Sequence, residues 1–317
     1  VSDDRVIIAG GGIAGLVLAL ELDARSIPCV VYEAAPELRP LGVGINLLPH
    51  AVRVLAGLGL GERLERIAVA TRELAYYNRH GQRIWAEARG RAAGYAFPQL
   101  SIHRGALQME LLGAVRERLG LEAVHLGRAV GVFVAAGDGV RVNLNAGRSG
   151  PTIDVVEGSI LVGAEGVNAA VRAQLHPHDG PPRFAGRILW RGITQGRPFL
   201  DGRTMIMAGH PRQKFVAYPI TPVGADGLQS INWIAELPVA GEAPPAQDWS
   251  RRGDVAVFRG PFAGWRFDWL DVPALIDGAE AVFEYPLVDR DPLDHWGNER
   301  VTLIGDAAHP MYPIGSN

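Results

Sequence analysis

Arg5-Val6-Ile7-Ile8-Ala9-Gly10-Gly11-Gly12-Ile13-Ala14-Gly15-Leu16-Val17-Leu18-Ala19-Leu20-Glu21-Leu22 decides the fold. A short β-branched run reads as a buried strand, the glycines as a tight turn, and the leucine-rich run as a helix. Gly10 allows the turn, Gly12 lets a pyrophosphate approach the backbone, and Gly15 permits close helix–strand packing. Pro28-Cys29-Val30-Val31-Tyr32 reads as a second, parallel strand. It ends at Glu33, eighteen residues after Gly15, where a carboxylate can bind the ribose hydroxyls of an adenosine. A glycine-rich turn without a ligand would not need the strand, the helix and the acid in this order. The stretch therefore predicts a parallel βαβ unit with a dinucleotide site.

Working outward, the other end of the sequence carries a second signal. Arg300-Val301-Thr302-Leu303-Ile304 reads as a strand that delivers Asp306 into Gly305-Asp306-Ala307-Ala308-His309-Pro310-Met311-Tyr312-Pro313-Ile314-Gly315-Ser316-Asn317. This Pro/Gly-punctuated turn is expected to open a helix. There an aspartate can accept a hydrogen bond from a ribityl hydroxyl, and free N–H groups can face electron-rich flavin oxygens. A third segment, Ile160-Leu161-Val162 followed by Gly163-Ala164-Glu165-Gly166, leads from a strand into a short helix containing Val171 and Arg172.

The 317-residue length predicts about two domains. A hydrophobic fraction of 48% and a charged fraction of 21% place the chain among globular enzymes. A net charge of −3 predicts no affinity for nucleic acid or an anionic membrane. No apolar run is long enough to span a bilayer, and with a strand close to the N-terminus no signal peptide is expected. Cys29 is the only cysteine, which excludes an intrachain disulfide and a cysteine metal cluster; it reads as a small buried hydrophobe. A cytoplasmic protein is expected. The nine histidines and 34 acids form no HExxH or similar spacing, so no metal is expected.

Between the motifs, residues from His50 to Leu64 show helical spacing. Residues from Thr71 to about Pro98 read as strands. Leu107, Leu111, Leu112 and Val115 mark one face of an amphipathic helix. Short strands are expected near Ala123–Leu126, Ala129–Val134, Val140–Leu144 and Ile153–Val156, and a β-rich second domain over about 176 to 290. The predicted class is α/β, α+β overall. A Rossmann-like domain comprises 1–72, 99–178 and 291–317, and a substrate domain comprises 73–98 and 179–290.

With these motifs in place, the chain resembles the single-component FAD-dependent aromatic hydroxylases, the p-hydroxybenzoate-hydroxylase-like monooxygenases. The resemblance rests on Gly10–Gly15 with Glu33, on Gly163–Arg172 (the family's GADG-x-x-S-x-VR segment), and on Gly305–Pro313. Arg39–Asn46, Ile102–Gln108, Trp190–Gly192 and Tyr285–Gly297 also match. The last set looks most like the phenazine-modifying branch, the 5-methylphenazine-1-carboxylate 1-monooxygenases.

The resemblance implies roles position by position. Gly10, Gly12, Ala14 and Gly15 would hold the FAD pyrophosphate and Glu33 the adenosine ribose. Val43 would lie near the ribityl–flavin region, Arg104 would bond the FAD backbone from a helix start, and Val130 would pack near the adenine. Asp306 would hold the ribityl chain, and Pro313, Gly315 and Asn317 would line the flavin ring. Arg191 is a candidate for pairing with a substrate carboxylate, the alternative being a surface ion pair. Tyr218 and Tyr312 are candidate pocket aromatics, and Tyr218 reads equally as a core tyrosine. His309 reads as a turn histidine bonded to backbone. Two positions depart from the family pattern. Glu165 stands where the family has aspartate, in a loop that serves both FAD and the nicotinamide. Ala169 replaces the usual serine. The family also continues with a helix past Asn317.

The implied chemistry is reduction of FAD by NADH or NADPH, reaction with O2 to a C4a-hydroperoxide, and oxygen transfer to a small aromatic ring. The outcome is hydroxylation, or oxidative decarboxylation where the attacked carbon bears a carboxylate. A single Rossmann fingerprint agrees with a nicotinamide that binds only transiently. A non-hydroxylating FAD oxidoreductase and a truncated, non-catalytic flavin-binding remnant are the alternatives. A halogenase is disfavoured, because Trp265-Arg266-Phe267-Asp268-Trp269 does not have WxWxIP spacing. A monomer or homodimer is expected.

Overall fold

The computed structural model describes residues 4–239 and 251–312. It divides into two compact units. One contains the residues up to Pro40, Leu107–Arg183 and Asp289–Tyr312. The other contains Leu41–Ala106 and Phe184–Val288.

The first unit is built on a six-stranded sheet. Its order is Gly297–Asn298, Val301–Leu303, Ile160–Gly163, β1 (Val6–Ala9), β2 (Cys29–Glu33) and Val124–Leu126. All neighbours are parallel except the Gly297–Asn298 pair at the edge. β1 is buried at every residue, as a parallel strand covered on both faces must be. Helix α1 (Ile13–Asp23) connects β1 to β2. A three-stranded antiparallel sheet, Arg128–Ala136, Gly139–Ala146 and Thr152–Gly158, contributes Phe133, Val142 and Leu144 to the core that holds Ile7, Val30, Leu161 and Val301. The expected amphipathic helix is Arg104–Leu119, with Leu107, Leu111, Leu112 and Val115 all buried. Cys29 is half-buried, and burial together with nearby Asp23 pushes its thiol up to about 11. The whole is a mixed α/β architecture, Rossmann-like in this unit.

The second unit comes from two long excursions between strands that neighbour each other in that sheet. One leaves after β2 and returns to Val124–Leu126. The other leaves after Ile160–Gly163 and returns to Val301–Leu303. Its main sheet has seven strands: Val282–Asp289, Arg183–Gly196, Gln229–Pro238, Gln213–Pro219, Thr204–His210, Glu73–Tyr77 and Arg83–Ala88. A second sheet pairs β3 (Gly44–Leu47) and Val69–Thr71 with Gln99–His103. The core is aromatic. Trp190 stacks on Phe258 at 4.8 Å and Phe215 on Trp233 at 6.0 Å. Trp265 and Trp269 pack into the same cluster, beside a tight turn joining Arg266–Phe267 to Leu270–Asp271.

Three expectations are corrected. Residues 41–72 and 99–106 belong with the second unit, because β3 and Val69–Thr71 pair with Gln99–His103 and Gly44 is bonded by Tyr218, Arg191 and Asn232. The helix expected over 50–64 is two helices, α2 (Pro49–Gly57) and Gly61–Ile67, separated where Gly59 takes φ +77°. The β-rich stretch also holds two short helices, Val255–Phe262 and Val272–Asp277. Asp254 and Asp271 cap them by accepting from Ala256 N and Ala274 N, each at 2.9 Å. No helix among the described residues is long and apolar enough to cross a membrane.

Phe258 is fully buried against Trp190 and Trp233. Phe258→Ala leaves an aromatic-sized void and is expected to cost about 3–5 kcal/mol, read as a lower urea midpoint.

Candidate active site

Strand register brings the three motifs together within the first unit. Ala9 lies opposite Gly163, and Gly163 opposite Leu303, so all three loops leave the carboxyl end of adjacent parallel strands. This is where open α/β sheets bind ligands. Gly10 has φ +107°, and a Cβ there would lie 2.5 Å from the Ala164 oxygen. A Cβ on Gly15 would lie 2.0 Å from the Gly10 oxygen, so helix and strand approach as closely as backbone permits. A Cβ on Gly12 would meet nothing within 4 Å. Gly12 is also the N-cap of α1 and has no side-chain cap, so the first N–H groups of the helix face open space. Ala14 lies in that first turn, 3.0 Å from where a Cβ on Gly305 would stand. Together these form an uncapped, unobstructed helix start of the kind that receives a pyrophosphate.

Glu33 accepts from Gly11 N at 2.7 Å and from Ala35 N at 2.8 Å, one bond per carboxylate oxygen, which leaves lone pairs for hydroxyl donors. Val130 is 4% exposed in a core with Val30 and Tyr32, the position of an ordinary core valine. Asp306 is exposed in a 3₁₀ turn, Gly305–Ala307, and makes no hydrogen bond or ion pair among the described residues. The His309 ring packs against Trp296 at 5.4 Å, and its backbone N–H donates to Gly305 O. Tyr312 faces Asp289. Burial and that carboxylate push its hydroxyl pKa up. Pro313, Gly315 and Asn317 lie outside the described residues.

In the second unit the glycine loop is held from several sides. Val43 is buried, and its carbonyl accepts from Arg104 N at 2.9 Å. The Arg104 guanidinium is exposed at the start of its helix and has no ion-pair partner among the described residues. The Gly44 carbonyl accepts from Arg191 Nη2 and from the Tyr218 hydroxyl, each at 2.8 Å. The Gly44 N–H donates to Asn232 Oδ1 at 2.7 Å. Arg191 also lies over the Tyr285 ring at 5.5 Å. No carboxylate among the described residues pairs with it, so the surface-ion-pair alternative is not what this side chain does. Arg191 Nε and Asn232 Nδ2 are buried without partners. Tyr218 is a core tyrosine: it is 2% exposed among Leu74, Met205, Val216 and Ile220, and acts on the loop through its hydroxyl. Burial pushes that hydroxyl's pKa up.

The FAD binding domain family matches residues 3–237 of this sequence. The chain is 47% identical over 317 residues to the phenazine 1,6-dicarboxylic acid hydroxylase PhzS of Lysobacter antibioticus, an alignment covering 98% of this chain and 78% of the relative. The chain belongs to the FAD-dependent aromatic hydroxylases. It is 30% identical to the salicylate hydroxylase of Pseudomonas putida, over 98% of this chain and 72% of that one. Among solved structures, Klebsiella pneumoniae HpxO complexed with FAD and uric acid shares the fold, with a TM-score of 0.77 at 23% identity over 99% of this chain and 75% of that one. The chain is thus an enzyme, an FAD-dependent aromatic monooxygenase.

For this hydroxylase, several residues with no assigned role in the sequence reading shape the site. Arg172 is 1% exposed. Its Nη1 donates to both Ala307 O and Ala308 O at 3.0 Å, and its Nε to Asp179 at 2.6 Å. Asp179 also pairs with Arg290 at 2.9 Å. Burial raises the Asp179 pKa, but Arg172 and Arg290 outweigh it and hold the carboxyl below its usual range. Gln108 donates to Gly11 O at 2.8 Å and so fixes the glycine turn.

The two departures from the family pattern compensate each other. Ala169 is the N-cap of the helix Ala170–Leu175 and offers no hydroxyl. The Glu165 carboxylate instead accepts from Ala170 N at 3.3 Å and Val171 N at 3.1 Å. The carboxylate thus takes the first two N–H groups of this helix, and one of them, Val171 N, is in the position from which a side-chain cap accepts. Burial and nearby Glu33 raise its pKa to about 7, against the opposing pull of those N–H groups and Arg148.

A carboxyl raised in the folded state favours the protonated form, so its contribution is full at low pH and is lost as pH rises through the folded value. Relative to Glu165→Gln, the parent should lose stability as pH rises from about 4.5 through about 7. Urea midpoints of the two proteins across that window test this; parallel curves would exclude Glu165 as the titrating group.

Proposed function

We propose that this enzyme hydroxylates an aromatic carboxylic acid of the phenazine type. Gly10, Gly12, Ala14 and Gly15 would present backbone N–H groups to the FAD pyrophosphate, and Glu33 would accept from the adenosine ribose. Val130 would pack beside the adenine. Arg104 would supply positive charge to the phosphates, Asp306 would accept from the ribityl chain, and Val43 would border the flavin. Glu165 would shape the neighbouring loop through its helix cap. The open helix start at Gly12 and the unpartnered Asp306 and Arg104 are what a bound FAD requires. When bound and reduced by NADH or NADPH, FAD supplies the oxygen activation that no protein side chain can.

Arg191 carries the substrate class. Its guanidinium is anchored to Gly44 O and laid over Tyr285, yet it has no carboxylate partner and keeps a buried, unsatisfied Nε. A planar acid would supply the missing acceptor by a charge-assisted bond. The 47% identity to a phenazine 1,6-dicarboxylic acid hydroxylase supports a tricyclic diacid. Tyr285, half-buried beside Arg191, offers an aromatic wall. Tyr218 would hold the loop rather than touch the ring, and Tyr312 would border the site.

The deciding measurement is turnover of phenazine-1,6-dicarboxylate with NAD(P)H under labelled O2. One labelled oxygen atom should enter the product. NAD(P)H oxidation that yields only peroxide and no labelled product would overturn the reading. Arg191→Ala should weaken substrate binding by about 2 kcal/mol or more, roughly 30-fold in KM, while FAD occupancy stays intact. Unchanged kinetics would remove Arg191 from substrate binding.

A further inference from the structure

A cavity of about 430 Å³ opens in the second unit beyond the far end of β3 from Gly44. Gly44 is bonded to Arg191 at one end of this strand, and Leu48 lines the cavity just past the other. Four residues of extended chain separate Gly44 from Leu48 by about 13 Å. The volume lies within the range of small-molecule sites, about 300–1,000 Å³. His50, Arg53, Arg89, Tyr95, Phe97 and Gln99 give its walls their chemistry.

Three observations make it a built site. Arg53 has no ion-pair partner among the described residues. Arg89 is paired with Glu87 but keeps a buried Nε with no acceptor. Gln99 lines the cavity and is 2% exposed. The uncapped start of α2 at Leu48 and Pro49 adds to the positive side of the cavity. The aromatic side is Tyr95, which is 61% exposed, with Phe97. The exposed Tyr95 ring offers a stacking face beside the cationic side of the cavity.

We propose that this cavity is a second binding site for a small aromatic acid, separate from the Arg191 site. The ring would lie against Tyr95 and Phe97, the carboxylate would take Arg53 and Arg89 Nε, and the Gln99 amide would bond the remaining polar edge. The proposal takes its ligand class from the substrate reading above, since such an enzyme works among aromatic acids. Because β3 joins the cavity to the Gly44 loop, an occupant would bear on the segment that Arg191 holds.

Equilibrium dialysis of the FAD-loaded chain against phenazine-1,6-dicarboxylate tests it. The double variant Arg53→Ala with Tyr95→Ala changes two exposed side chains and should leave the thermal midpoint in place. The parent should bind one equivalent more than this variant, and the variant should retain turnover. Equal binding by parent and variant, or loss of turnover together with binding, would overturn the second site. The same dialysis on Arg191→Ala separates the two readings. Loss of the other equivalent there reports on the catalytic site, and labelled product from the parent reports on the substrate assignment.

Discussion

The Arg172 guanidinium is the interaction on which the cofactor unit depends. It is buried, so it persists only because its donors are used. Nη1 takes the carbonyls of Ala307 and Ala308, and Nε takes Asp179, itself shared with Arg290. Removing one partner of such a buried ionic group typically costs about 3–5 kcal/mol. Arg172 lies on the helix after the Gly163 loop, and its acceptors lie in the turn that carries Asp306. One side chain therefore binds the second motif to the third. The sheet register binds the second to the first, through Ala9 opposite Gly163. Loops distant in sequence become one surface because a single arginine and one parallel ladder leave them no other arrangement.

A second constraint governs the other unit and works on a single peptide. Gly44 receives two bonds at its carbonyl and gives one at its N–H, to side chains from three different strands. A Cβ at this position would lie 2.7 Å from the Asn232 Cβ. Only glycine lets Asn232 and Ile220 approach so closely. Arg191 is fixed by the same peptide, so its free Nε is a rigid donor.

Much of this was legible in the sequence where the signal was local. The glycines from Gly10 to Gly15 and the alternation of strand, helix and strand fix β1, α1 and β2 within about thirty residues of chain. The buried stripe of Leu107, Leu111, Leu112 and Val115 follows directly from helical spacing. What escaped the sequence was long-range. Gln108 meets Gly11 across 97 positions, Arg172 meets Ala307 across 135, and Asn232 meets Gly44 across 188. No periodicity records such pairs. Other misses had a signal. Asp254 and Asp271 precede short apolar runs as N-caps do, Pro273 stands at a helix start, and Gly59 breaks a continuous apolar pattern. The pairing of Glu165 with Ala169 was visible as two departures, but only the geometry shows one answering the other.

The two excursions that make up the second unit each leave and return between strands already adjacent in the six-stranded sheet. Parallel pairing keeps the strand each excursion leaves and the strand it returns to as neighbours, about 4.8 Å apart, with the chain leaving at the carboxyl end of one and re-entering at the amino end of the other. Lengthening, shortening or recomposing an excursion therefore leaves the register of the cofactor strands untouched. The second unit is thus an insertion that can be lengthened or recomposed while the parallel sheet of the first unit keeps its order.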